Sequence, residues 1–460
     1  MLSGDIGRAP ERVLATMDEL GHRIRLRPRP SPGRFHRARG VVAASLIALF
    51  VALPYLPVGG RPAILLDLVH REFSFFGRTF RPTDGVLLMM LGLTVVLAVF
   101  LITALIGRGW CGWACPQTVY LEWLYRPIER LWEGGPAGQR RLDAGPRWHW
   151  RRLGKLATFA LLSVVVANVF LGYFVGVDQL ARWVRQSPFE HPVGFLVMAS
   201  VGALMFADFA WFREQTCMVA CPYGRLQSVL LDRQSLIVGY DAARGEPRGK
   251  KGSAGAGDCV DCKACVTTCP TGIDIREGLQ MECIACAQCV DACDAIMGRL
   301  GRAPGLIRYS SQDELAGKPR KLLRPRLFVY PVLLAIALGG FLYLLLAPQP
   351  TAEVFLLRGE GAPFSRLPDG RVSTPVRLKI ENRSGADHRY RIELVDAGDA
   401  ELIVPLAELP VKAGQATVAP AFVLSPARAF DHGERRVGLR VLDEQGLVAS
   451  PVATLLGPEQ

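Results

Sequence analysis

Five stretches of this chain stay apolar long enough to cross a bilayer, which takes roughly 20 helical residues for about 30 Å of hydrocarbon. They run at about 41–58, 85–107, 156–177, 193–212 and 327–347, the first and fourth being the shortest. Between the first two lies a weaker apolar segment, Ile64 to Phe80 within residues 61–83, interrupted by Asp67, His70, Arg71 and Glu72. Those charges predict an interfacial or re-entrant segment rather than a span. After the last span the period changes. Val376-Leu378-Ile380, Tyr390-Ile392-Leu394 and Val437-Leu439-Val441 alternate with polar residues, and turn signals at 382–385 and 397–399 separate such runs. That pattern predicts half-buried strands of an immunoglobulin-like β-sandwich over 350–460. Residues 241–258, rich in Gly, Lys and Arg, read as a flexible linker.

Composition supports a membrane component: half the residues are hydrophobic and mean hydropathy is +0.22. The formal net charge is +12, yet residues 350–460 hold 13 Lys and Arg against 15 Asp and Glu, so the basic excess lies ahead of the tail. The arginines flank apolar spans, in the N-terminal arm (Arg23 to Arg39), in the 108–155 loop and in the 213–326 loop. A positive-inside bias explains this better than nucleic-acid binding. An odd number of spans then places these three segments on the cytoplasmic side and the tail on the outside. Four Arg residues at 59–83 fit that topology less well. The long basic leader predicts an uncleaved signal anchor. Trp110, Trp113, Trp183 and Trp211 sit at span ends, as an aromatic belt requires.

The twelve cysteines all fall between Cys111 and Cys293, unlike the scattered framework of a disulfide-stapled protein. Eight form two runs, Cys259-x2-Cys262-x2-Cys265-x3-Cys269-Pro270 and Cys283-x2-Cys286-x2-Cys289-x3-Cys293. In this spacing three cysteines wrap one cubane and the fourth ligates the other cluster. One 4Fe–4S cluster is therefore assigned to Cys259, Cys262, Cys265 and Cys293, and a second to Cys269, Cys283, Cys286 and Cys289. A pair of zinc sites is the competing reading, but zinc takes four ligands and leaves the repeated third and fourth cysteines without a purpose.

The other four cysteines form a second pair of motifs, Cys111-Gly-Trp-Ala-Cys115-Pro116 and Cys217-Met-Val-Ala-Cys221-Pro222. On a helix, residues i and i+4 share a face with Cβ atoms about 5–6 Å apart. That is too wide for an unstrained disulfide and tolerable for a metal. Soft thiolates, with the Met218 thioether, favour Cu(I), and the prolines end or kink the helices and aim the sulfurs at a shared site. Burial as free cysteines in helices is the alternative. Asp208, inside the fourth span, is expected to serve a proton or metal, or else to pair with an arginine near the interface. His149 is read as interfacial.

These motifs resemble the CcoG/FixG/RdxA family of cytochrome c oxidase accessory proteins. The resemblance is carried by Cys259 to Gln280, Met281 to Asp294, Gly305-Leu-Ile-Arg-Tyr309, Arg108-Gly-Trp-Cys111 to Thr118, and Phe209 to Gln215, and it spans most of residues 20–350. Asp294 stands where free ferredoxins carry proline, a departure the family shares. The resemblance implies an inner-membrane protein with two 4Fe–4S clusters that reduces Cu(II) to Cu(I) for a cbb-type oxidase. The reading is thus a cupric reductase, with copper as substrate or bound ion at Cys111, Cys115, Cys217 and Cys221. Its partners would be oxidase assembly factors or a copper transporter. The electron donor is unidentified, and a homodimer is left open. The competing functions are a quinol dehydrogenase-type membrane ferredoxin, and a non-enzymatic copper scaffold or redox sensor. The predicted architecture is multi-domain: a basic arm at 1–40, an α-helical membrane domain at 41–240 with four spans and both C-x3-C-P motifs, a two-cluster ferredoxin-type domain at 241–310, a fifth transmembrane helix at 327–347, and an immunoglobulin-like β domain at 350–460.

Overall fold

Among the described residues, five helices are long and apolar enough to cross a membrane: Arg34–Tyr55, Gly85–Ile106, Trp150–Val175, Pro192–Phe212 and Pro325–Leu346. The computed structural model describes residues 15–17, 22–58, 61–67, 72–76, 78–80, 85–146, 148–250, 255–319, 324–346, 351–358, 361–384, 386–395 and 398–458. The chain divides into two units, Met1–Leu345 and Leu346–Gln460.

The first spanning helix starts at Arg34, well before the expected residue 41, so the basic arm ends at Gly33. A distant residue sets this start. The Asp291 carboxylate accepts hydrogen bonds from the backbone N–H groups of Phe35 (3.2 Å) and His36 (2.7 Å). A carboxylate there satisfies orphan amides and complements the helix dipole. Gly33 allows the approach: a Cβ at this position would lie 2.2 Å from Asp291 Cγ. At the other end, Pro57–Val58 leave the helix and pair with Arg61–Pro62 as a small ladder. The third span begins at Trp150, capped by His149, whose Nδ1 accepts from Arg151 N at 3.2 Å. The fourth runs as α-helix over Pro192–Ala207 and closes with a π-helical turn, Asp208–Phe212.

The described residues between Ile64 and Phe80 are strands, with no spanning helix among them. They form a three-stranded antiparallel sheet, Ile64–Asp67, Glu72–Phe75 and Arg78–Phe80, with Ile64 opposite Phe75 and Phe73 opposite Phe80. The alternation Glu72-Phe73-Ser74-Phe75 has the period of a strand, and the charges that break the apolar run forbid a membrane helix. His70 and Arg71 lie outside the described residues.

The ferredoxin-type region is bracketed by strands Ile237–Tyr240 and Ile307–Ser310, paired antiparallel with Ile237 opposite Ser310. The folded unit therefore starts at 237 rather than 241, because the apolar strand before the linker closes its core. Val238, Ile273, Ile275, Val290, Met297, Leu306 and Ile307 fill that core beside the cysteines.

The tail is a two-sheet sandwich. One sheet orders Glu401–Ile403, Ala416–Pro426, Arg371–Asn382 and Ala352–Arg358, with Ser365–Arg366 also on Arg371–Asn382. The other orders Leu409–Val411, His388–Val395, Glu434–Asp443 and Gly446–Ala449, with Val452–Leu456 also on Glu434–Asp443. Leu378 and Ile380 from one sheet meet Tyr390, Leu439 and Val441 from the other, all fully buried. These belong to the alternating runs seen in the sequence.

Candidate functional site

The two cysteine loops share one backbone. In each, the second and fourth residues after the leading cysteine are left-handed: Asp261 (φ 50°) and Lys263 (53°) in the first, Ala285 (52°) and Ala287 (57°) in the second. Each such residue costs on the order of 1–3 kcal/mol outside glycine, so the surroundings must hold it there. The turns direct successive N–H groups into one concavity, an arrangement that receives anions. Helices follow directly: Ala264–Thr267 carries Cys265, and Gln288–Leu300 carries Cys289 and Cys293.

The loops border two small cavities. One is bordered by Cys259, Cys262, Cys265 and Cys293. The other is bordered by Cys269, Cys283, Cys286 and Cys289, with Cys265 in the shared wall. Each set thus contains a fourth cysteine from the opposite run. Cys262 is exposed, and the rest are buried or half-buried. Burial pushes the thiols of Cys265, Cys283 and Cys293 up to about 12 and that of Cys286 to about 11. A thiolate is stable in such places only beside a metal, so loading must release protons. Soft sulfur donors, apolar walls and amide-lined turns fit an iron–sulfur cluster in each cavity. Among the described residues no three His, Cys, Asp or Glu side chains converge tightly enough for a single ion. That includes the four cysteines of the second pair of motifs.

The C-x3-C-P motifs depart from the expected helical i, i+4 geometry. Cys111 lies in the short helix Gly109–Trp113, but Cys115 is extended (φ −61°, ψ 126°) and begins the helix Pro116–Tyr120. Cys217 lies in the π-helical turn Thr216–Ala220, and Cys221 is likewise extended (φ −75°, ψ 109°) before Pro222–Leu230. The cause is local: proline excludes the helical conformation from the residue before it. Each motif therefore holds one cysteine in a helical turn and one at a helix start. The four thiols lie within electrostatic range of one another, Cys217 sensing Cys115, Cys111 and Cys221. Burial pushes Cys217 up to about 12 and raises Cys111 and Cys115, with Arg108 opposing the shift at Cys111. Cys111 Sγ donates to Gln227 Oε1 (3.0 Å), and Gln227 Nε2 donates to Tyr223 OH (2.6 Å), which ties the first motif to the helix after the second.

The first motif rests on the second cluster loop. A Cβ on Gly112 would lie 2.4 Å from Ile284 O and 2.9 Å from Cys286 N, so only glycine permits the contact. Cys111, Ile284 and Cys286 form one buried group. Tyr309 OH donates to Ala285 O (2.5 Å) and accepts from Trp113 Nε1 (3.0 Å), fastening the same junction.

Two side chains near these motifs have partners of their own. The Met218 thioether accepts from Thr16 Oγ1 at 3.4 Å. Asp208 accepts from the Thr216 hydroxyl rather than pairing with an arginine, because Arg213 is taken by Glu129 in a two-pronged bond of 2.9 and 2.8 Å. Around that bond lies a buried ionic network with no sequence motif. Lys155 meets Glu133 (2.6 Å) and Glu129 (3.4 Å), while Arg126 pairs with Glu122 and reaches Pro270 O (3.3 Å) beside the second cavity.

Comparison with known families agrees with these regions. A model described as "4Fe-4S dicluster domain" matches residues 212–312, one described as "4Fe-4S binding domain" matches 88–134, and one described as "IG-like fold at C-terminal of FixG" matches 342–458. Over 83% of its length the chain is 36% identical to Protein RdxA of Cereibacter sphaeroides, covering 86% of that protein. It is 33% identical to the Nitrogen fixation protein FixG of Rhizobium meliloti, over 86% of this chain and 82% of that one. Protein RdxB of Cereibacter sphaeroides matches at 32% over 82% and 83% respectively.

Proposed function

The chain belongs to the FixG/RdxA family of membrane iron–sulfur electron-transfer proteins, and we propose that it reduces Cu(II) to Cu(I) for the assembly of a cbb-type cytochrome c oxidase. The observation that carries this reading is the contact between Gly112 and Cys286, which sets Cys111 directly against a cluster loop, with the other three C-x3-C-P thiols within electrostatic range of it. Iron–sulfur clusters supply one-electron transfer when bound. Copper is the substrate: Cu(II) gains one electron from a one-electron carrier protein by way of the ferredoxin-type domain and leaves as Cu(I).

The residues of this chain do the rest. Cys111, Cys115, Cys217 and Cys221 offer soft donors that favour the reduced ion, and their buried thiols give up protons as copper arrives. The two proline-ended turns draw together on the ion, since the four sulfurs stand farther apart than single-ion geometry requires. Gln227, Tyr223 and Thr103 keep Cys111 in a water-poor polar pocket. The arginine bias supports a cytoplasmic side for this site and the ferredoxin-type domain and a periplasmic side for the sandwich, across a bacterial inner membrane. A copper transporter or oxidase assembly factor receives the Cu(I).

Paired serine variants test this. Cys111→Ser with Cys115→Ser, or Cys217→Ser with Cys221→Ser, should abolish copper binding while iron and sulfide content stay at the parent level. Cells carrying them should lose oxidase activity, and added copper should restore part of it. Full copper binding and oxidase assembly in these variants would make the four cysteines structural. Quinol oxidation by membranes, indifferent to copper, would mark a quinol dehydrogenase instead.

A further inference from the structure

Two buried arginines beside the second cysteine loop have no carboxylate partner among the described residues. Arg39, in the first spanning helix, is 1% exposed. Its Nε donates to Gly112 O (2.8 Å), and its Nη1 has no partner. Arg108, just past the second span, is 6% exposed. It donates to Met281 O, two residues before Cys283, and sits beside the Cys111 thiol, while its Nε has no hydrogen-bond partner. Among the described residues neither meets a carboxylate. The nearby acids are committed elsewhere, Glu122 to Arg126 and Asp291 to the start of the first spanning helix. The first cavity is different. Its arginine, Arg276, is matched by Asp274 and Asp261 at 2.5 Å each, and Asp294 follows Cys293.

An uncompensated charge in a protein interior costs several kcal/mol, so a buried cation persists where an anion answers it. A thiolate-ligated cluster is such an anion, and reduction makes it more negative. A fixed cation beside it therefore stabilises the reduced state more than the oxidised one, which raises the potential. Resting on the reading that this chain passes electrons to its C-x3-C-P site, we infer that Arg39 and Arg108 are positioning cations that hold the second cavity at the higher potential. That cavity, framed by Cys269, Cys283, Cys286 and Cys289, is then the electron outlet, and the first cavity with its exposed Cys262 is the inlet. The geometry agrees with the potential order, because the second loop touches Gly112 and Cys111 while the first reaches solvent. One electron arrives at the first cavity from a carrier protein and one leaves from the second to Cu(II). Arg39 and Arg108 exchange no proton.

The test is an EPR-monitored redox titration of full-length, detergent-solubilised, copper-free protein, with Cys262→Ser marking the signal of the first cavity. Arg39→Gln should shift the second signal to more negative potential by at least a tenfold change in its reduction equilibrium, about 59 mV for one electron. The first signal should stay in place, and Arg39→Lys should restore most of the shift. Arg108→Gln should act in the same direction, so the inference stays testable if one variant fails to load iron. Iron-replete Arg39→Gln and Arg108→Gln proteins titrating like the parent would overturn it. So would a shift confined to the first signal. Since copper is absent, failure of the copper reading leaves this result standing, and failure here leaves copper reduction open.

Discussion

Replacing Glu129 with glutamine removes one charge from the buried network and almost no volume. Glu129 and Arg213 are 9% and 3% exposed at the side chain and joined through two bonds. Without the carboxylate, Arg213 keeps only Glu214, at 3.7 Å from its Nε. Breaking a buried pair on one side costs about 3–5 kcal/mol, because it strands the other charge. The electrostatics give a similar size. Burial alone would raise the Glu129 carboxyl, but Arg213 and Lys155 outweigh it and hold the group at about 2 against an ordinary 4.5, worth on the order of 3 kcal/mol. A depressed carboxyl stabilises the fold fully above its unfolded value and loses that contribution as pH falls towards its folded one. The gap between parent and Glu129→Gln should therefore be constant from about pH 6 to 9 and shrink between about 4.5 and 2. Unfolding in mixed micelles by added SDS, followed by the fluorescence of Trp123 and Trp132, measures it. Glu129→Leu combined with Arg213→Met should cost less than Glu129→Gln alone, since no charge is stranded. A Glu129→Gln loss under about 0.5 kcal/mol, or a gap unchanged at acid pH, would refute the reasoning.

Other outcomes follow from the same geometry. Anaerobically purified protein should carry close to eight irons and eight acid-labile sulfides, and Cys293→Ser should damage the cluster of the Cys259 loop. Damage to the Cys283 loop instead would reverse the ligand sets. Gly112→Val should wedge the first motif from Ile284 and Cys286, costing about 1–3 kcal/mol and slowing copper reduction with iron content kept; parent rates would show that the contact carries no electrons. A reporter after Gln460 should read periplasmic and one near Gly255 cytoplasmic; a cytoplasmic C-terminus would mean an even number of spans.

Much of the architecture is legible because it is local. Spans follow from apolar length, sandwich strands such as Arg371–Asn382 from alternation, and the cysteine runs from spacing that closes around one centre. What the sequence hides is long-range or cooperative. The first span begins at Arg34 because Asp291, more than 250 residues away, caps it. Three arginines in its opening turns look like loop until that cap and the burial of Arg39 are known. Cys115 and Cys221 leave the helix under a rule readable in advance, the restriction imposed by the following proline, whereas the contact of Gly112 with Cys286 joins segments about 170 residues apart. The pairing of Glu129 with Arg213 and the lack, among the described residues, of carboxylate partners at Arg39 and Arg108 have no local signature.

The most direct measurement follows the fate of one electron. Protein purified anaerobically, reduced and freed of excess reductant is mixed with substoichiometric Cu(II), and the Cu(II) and reduced-cluster EPR signals are followed together. The account predicts that both signals fall one for one, with Cu(I) retained by the protein, and that Cys217→Ser with Cys221→Ser leaves both in place. Cu(II) persisting beside reduced clusters in the parent protein, or vanishing equally fast in the serine variant, would contradict it.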